Sequence, residues 1–214
     1  MSRWIGLAVG FVTLIQVAAA RAEIVTRKVS ESDDDFMARV VGRPADELAQ
    51  KVVRSTEIAG GKPTLIGFVN HDDDTPDSSQ GGNVLIGHLL VETSPNHYEH
   101  VVFPSCDEEG GAPELKAVFF ARTAKGAGRD LGAFCSWYHG GQANTGTCYS
   151  ALFYRVKEAG AKIAVEPLTD LNKKFDTCDA FEANDHGKWE RVSRATFKTV
   201  ADVKKLLTKM GLPQ

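Results

Sequence analysis

Few residues in this chain are spaced for chemistry, and each cluster has to be weighed against its neighbours. His97-Tyr98-Glu99-His100 carries two imidazoles three positions apart, a spacing that could converge on one metal if the backbone were helical. Val101-Val102-Phe103 follow directly. They predict a strand, in which positions three apart point to opposite faces and cannot easily share an ion. The acidic run His71-Asp72-Asp73-Asp74-Thr75-Pro76-Asp77 offers the oxygen ligands calcium prefers, but lacks the alternating ligands, central Gly and late Glu of an EF-hand. It reads more simply as a solvated turn. Cys135 with His139 is the only sketch of a nucleophile and base. The H-E-x-x-H, G-x-S-x-G, P-loop and G-x-G-x-x-G patterns are all absent. No metal or cofactor site is therefore expected. The alternative reading is an exported hydrolase using carboxylates or His residues gathered by the fold, for example from His71, Asp73, His97, Glu99 or His139.

The first 22 residues decide how the cysteines are read. Arg3 gives a positive start, Ile5 to Val17 is largely apolar, and Ala18-Ala19-Ala20-Arg21-Ala22 ends in an A-x-A site before Glu23. The apolar run is shorter than the roughly 20 residues of a membrane span, so cleavage after Ala22 and export to the periplasm or beyond are expected, with no stable anchor. The signal carries Arg3 and Arg21, so the formal net charge of −3 becomes −5 in the mature chain. Lys and Arg are scattered, which argues against a nucleic-acid partner. The four cysteines all lie in the exported part, where thiols are oxidised, and read as two disulfides. Spacing alone leaves three pairings open. Cys135 with Cys148 is favoured, because both can face one side of a hairpin, which leaves Cys106 with Cys178.

Elements that could position these residues fall into three stretches. Residues 23–62 predict helices. Ser32 caps a turn led by Asp33, Asp34 and Asp35, and Gly42 stops it; Pro44 then opens a second helix with Leu48 and Val52 on its apolar face. Residues 63–214 form the main, β-rich part. Strands are expected near 64–69, 84–91, 98–103, 115–122, 131–138, 147–156 and 162–165, with no long helix between consecutive strands, so the sheet is antiparallel. At the C-terminus Thr199 and Asp202 form a capping-box-like pair, and Val203, Leu206, Leu207 and Met210 recur at helical spacing before Gly211. The fold class is α+β: an antiparallel sheet, sandwiched or curled, with helices at both ends and two disulfides.

The most unusual segment is Asp130 to Tyr154. Two aromatic-rich strands, Leu131 to Tyr138 and Thr147 to Tyr154, flank His139-Gly140-Gly141-Gln142-Ala143-Asn144-Thr145-Gly146. Aromatics beside an exposed loop supply contact area at low entropic cost, although Phe134, Trp137, Phe153 and Tyr154 would equally serve as core.

Leu115-Lys116-Ala117-Val118-Phe119-Phe120-Ala121, Cys135-Ser136-Trp137 and Thr145-Gly146-Thr147-Cys148-Tyr149 give residues 115–156 a likeness to a known group. The stretch resembles exported bacterial lysozyme-inhibitor and effector-immunity proteins, whose S/T-G-x-x-Y loop enters the cleft of a peptidoglycan-cleaving enzyme. The resemblance implies a non-catalytic protein-binding role, with Thr145, Gly146 and Tyr149 at the partner interface and His139 and Asn144 on the same loop. Thr145 stands where serine is commoner, and Cys148 falls inside the motif. A purely structural envelope protein is the third reading.

Overall fold

The computed structural model describes residues 23–72, 83–107, 112–125, 128–141, 144–159, 162–183, 188–212 and 214. The acidic positions 73–77 and the export segment lie outside them. In chain order the elements are β1 (Glu23–Thr26), α1 (Asp33–Val41), β2 (Val53–Ser55), β3 (Thr64–Asp72), β4 (Asn83–Ser94), β5 (His97–Asp107), β6 (Glu114–Ala121), β7 (Asp130–Gly140), β8 (Asn144–Ala159) and β9 (Lys162–Pro167), then a single turn α2 (Thr169–Asn172), β10 (Asp176–Ala183), β11 (Trp189–Ser193) and α3 (Val200–Lys209). All strand pairings are antiparallel, as expected for the class.

Two sheets face each other. The first runs β1-β5-β4-β3-β2, and the second β11-β10-β8-β7-β6, with β9 pairing farther along the long strand β8. Alternation along each strand assigns side chains to layers. Ile66, Phe68, Leu89, Val91, Val101 and Phe103 of the first sheet meet Leu115, Leu131, Ala133, Tyr154 and Ile163 of the second in the inter-sheet core. α1 closes the outer face of the first sheet with Phe36 and Met37. α3 closes part of the outer face of the second, its Val203 and Leu207 packing among Phe119, Phe134, Phe153, Phe175 and Phe197.

Both capped helices form as the sequence expects. Ser32 Oγ accepts from the Asp35 N–H, Gly42 ends α1 at a left-handed φ of 70°, and Thr199 Oγ1 accepts from the Asp202 N–H. The second N-terminal helix does not form. After one 3-10 turn at Ala45–Glu47 the chain extends, and Val53–Ser55 pairs with Thr64–Ile66. The hydrogen bonds offered by the edge of β3 win over the local helix signal.

The disulfide pairing also differs from expectation. Cys106 bonds Cys135, and Cys148 bonds Cys178. In the β7–β8 ladder Cys135 lies opposite Ser150 and Cys148 opposite Trp137, so the hairpin cysteines are diagonal neighbours. Such positions sit roughly 7–8 Å apart, at the limit of what a disulfide spans. Cys178 on β10 lies directly across from Cys148, with Cα atoms 4.0 Å apart, while Cys135 points into the inter-sheet core and meets Cys106 at 6.6 Å. One bond staples neighbouring strands and the other joins the two sheets.

Candidate functional site

The hairpin between β7 and β8 is longer than its glycine-rich sequence suggests. Pairing continues through His139 opposite Gly146 to Gly140 opposite Thr145, and the Gly141 N–H donates to the Asn144 carbonyl at 2.7 Å. Thr145, Gly146 and Tyr149 are therefore not loop residues. They lie inside β8, paired with β7 on one side and β10 on the other.

Strand alternation divides the five residues between two faces. Thr145 and Tyr149 share the outer face with Phe134 and α3, whereas His139, Asn144 and Gly146 point the other way. His139 Nε2 and Asn144 Oδ1 are 3.2 Å apart, so these two do meet. Gly146 is buried, and a Cβ added there would overlap the Asp179 carbonyl oxygen. Its lack of a side chain lets β10 approach β8. Tyr149 lies nearly parallel to Phe134, centroids 6.2 Å apart, and both line a cavity of about 270 Å³ beneath the start of α3. The lysines at its rim are engaged, Lys116 with Glu114 and Lys198 with Asp179.

The most exposed large apolar side chain on this face is Tyr138, at 63%. Its ring lies over Gly140, where a Cβ would collide with it, and its hydroxyl is 2.6 Å from Thr145 Oγ1. Across β10, the Arg191 guanidinium sits 5.1 Å above the Phe181 ring. The sequence did signal Tyr138 indirectly, because adjacent Trp137 and Tyr138 in a strand must point to opposite faces. Trp137 is the buried one.

Asp73 lies outside the described residues, and the other residues considered for hydrolysis do not gather. Glu99 is 2% exposed and accepts the Ile163 N–H at 2.7 Å between the sheets. His97 contacts the Pro95 carbonyl at 3.0 Å, His71 belongs to β3, and His139 lies in the other sheet. All four cysteines are bonded, which removes the Cys135 nucleophile. Two cavities of about 490 and 380 Å³ meet at Arg155, which donates to both Asp130 carboxylate oxygens at 3.0 and 3.1 Å and to Thr123 Oγ1 at 3.1 Å. That hydrogen-bonded pairing with Asp130 raises the guanidinium pKa further and spends its donors inside the fold.

His97 and His100 point to opposite faces, as the strand pattern requires. His100 meets His88 of β4 instead, with Nε2 and Nδ1 3.0 Å apart, ring centroids 5.3 Å apart and planes within 17°. That centroid separation is what two imidazole radii plus the bond produce, so donor and lone pair point along the line between the rings. This is an N–H···N hydrogen bond; a metal would need both lone pairs to converge off that line. Among the described residues no group of three or more His, Cys, Asp or Glu side chains is arranged to hold an ion.

Fold and surface together define a disulfide-stapled antiparallel sandwich, helix-covered on both outer faces, with one uncovered aromatic corner. No family model, curated protein or solved structure matches the chain. Its two disulfides indicate an oxidising compartment, and no helix among the described residues is long and apolar enough to cross a membrane.

Proposed function

We propose that the mature chain is an exported, non-catalytic protein-binding protein, an inhibitor or immunity protein that occludes a peptidoglycan-cleaving enzyme. The observation that carries the reading is the rigidity of the β7–β8 corner. Tyr138 is exposed yet tied to Thr145, and Cys148–Cys178 locks the supporting strands three residues away. A surface held this way loses little entropy on binding. Cleavage at Ala22 would leave Glu23–Thr26, the described strand β1 with Glu23 opposite His100, in the mature chain. The hairpin end would present His139, Asn144 and Thr145 to the enzyme, with Gly146 supporting them where β10 approaches β8 and Tyr149 from the outer face against Phe134.

The test is inhibition of a purified muramidase by the mature protein. Full inhibition by wild type, weakened at least tenfold in His139→Ala and Thr145→Ala variants of unchanged thermal midpoint, is the expected result. Equal inhibition by wild type and both variants would remove the hairpin from the mechanism.

A further inference from the structure

The uncovered half of the second sheet has a layout that protein occlusion does not require. Register places Tyr138 and Gly140 on β7, Thr145 on β8, Phe181 on β10, and Arg191 with Trp189 on β11, all on the outer face. α3 covers the other end of that face, where Phe134 and Phe153 pack against it. Three strand spacings separate β7 from β11, so the row is about 14 Å long.

We propose that this row is a binding strip for a glycan chain bearing carboxylates, a ligand that goes beyond the inhibitory reading above. The groups along it are flat and alternate in character. Tyr138 packs over Gly140, held at its hydroxyl by Thr145, and leaves most of its side chain open to solvent. Arg191 lies on Phe181 and presents a planar guanidinium in place of that ring. Trp189, 44% exposed, ends the row. A pyranose ring has a C–H face, weakly positive, that suits the negative face of an aromatic ring, and hydroxyls at its rim that suit Thr145 and the guanidinium.

Charge selects among glycans. Arg191 makes no direct ion pair among the described residues; Asp179 on the same face is in contact with Lys198 and feels the Arg191 charge only at longer range. A guanidinium stacked on an aromatic ring, with no carboxylate in direct contact among the described residues, is a directed donor for a carboxylate ligand. The aromatic surfaces are single rings separated by hydrogen-bonding groups, a spacing that suits successive sugar rings with hydroxyls between them.

Calorimetric titration of the mature protein with peptide-free peptidoglycan glycan strands, whose muramic acids carry carboxylates, tests the strip in the absence of any hydrolase. Chitohexaose is the neutral comparison. Saturable binding of the strands is expected, at least tenfold tighter than chitohexaose, weakened at least tenfold in Tyr138→Ala and in Arg191→Gln. Tyr138→Phe, which removes only the tether to Thr145, should weaken it two- to threefold and stands in if the alanine variant unfolds. No saturable binding at millimolar sugar, equal binding of chitohexaose, or wild-type binding by Arg191→Gln would overturn the proposal. Muramidase inhibition by a protein that fails here would leave the inhibitory reading standing and remove the strip alone.

Discussion

His88 and His100 share one N–H···N bond across β4 and β5, and the other nitrogen of His88, Nε2, is buried with no hydrogen-bond partner. Burial first, and the His100 ring second, bring His88 down from 6.5 to about 4; burial also lowers His100, with Glu23 on β1 opposing. A folded-state pKa below the unfolded value means that the unfolded chain takes up the proton first. The neutral pair therefore stabilises fully above pH 6.5, and that contribution fades as pH falls toward 4. The gap sets a ceiling of about 3 kcal/mol. Urea unfolding of wild type and His88→Gln at pH 7 and pH 4 is expected to show a steeper acid loss in wild type; parallel pH profiles would remove His88 from the acid response. The sequence placed His97 and His100 on opposite faces, but the partner of His100 lies 12 residues back and is brought near only by register. Gly146 teaches the same lesson. Read as a loop contact, it is a packing requirement, and Gly146→Ala should lower stability by about 1–3 kcal/mol because β10 must move off β8. A thermal midpoint equal to wild type would show that the backbone yields freely there.

Elements were legible where their burial was one-sided. The seven strands between Thr64 and Pro167 alternate or run apolar, and α3 carries its stripe at helical spacing with a cap at each end. β1, β2, β10 and β11 were not legible, for a common reason: they lie at or near sheet edges. β11 is exposed at every position, so no hydrophobic period marks it, and β2 has only three residues, preceded by a proline and acidic residues that favour a helical turn. The hairpin tip was misjudged because three glycines suggest a loop, whereas pairing carries on to Gly140 and Asn144. α3 offers the cleanest test of how the layers depend on one another. Leu207 is fully buried among the phenylalanines of the second sheet, so Leu207→Ala should cost about 3 kcal/mol by denaturant titration. A cost below ~1 kcal/mol would mean that the helix merely rests on the sheet.

At the scale of the whole molecule the two disulfides do different structural work with similar loops. Their sequence separations are 29 and 30 residues, so a chain-entropy argument assigns each about 3.5 kcal/mol through the unfolded state. In the folded state they are unequal. Cys148–Cys178 joins strands already held by a ladder running from Asp176 opposite Ser150 to Glu182 opposite Asn144. Cys106–Cys135 joins two sheets that, among the described residues, otherwise meet through side-chain packing and the hydrogen bond from the Ile163 N–H to Glu99. If the entropic term dominates, replacing either pair by alanines lowers stability by the same amount within about 1 kcal/mol. If inter-sheet packing depends on the bond, the Cys106/Cys135 double variant loses more, and its amide exchange should rise across β5 and β7 together. Equal losses with exchange confined to the hairpin would assign the inter-sheet disulfide to the unfolded chain alone. The sandwich would then be held by its apolar core, with the proposed binding corner depending on Cys148–Cys178.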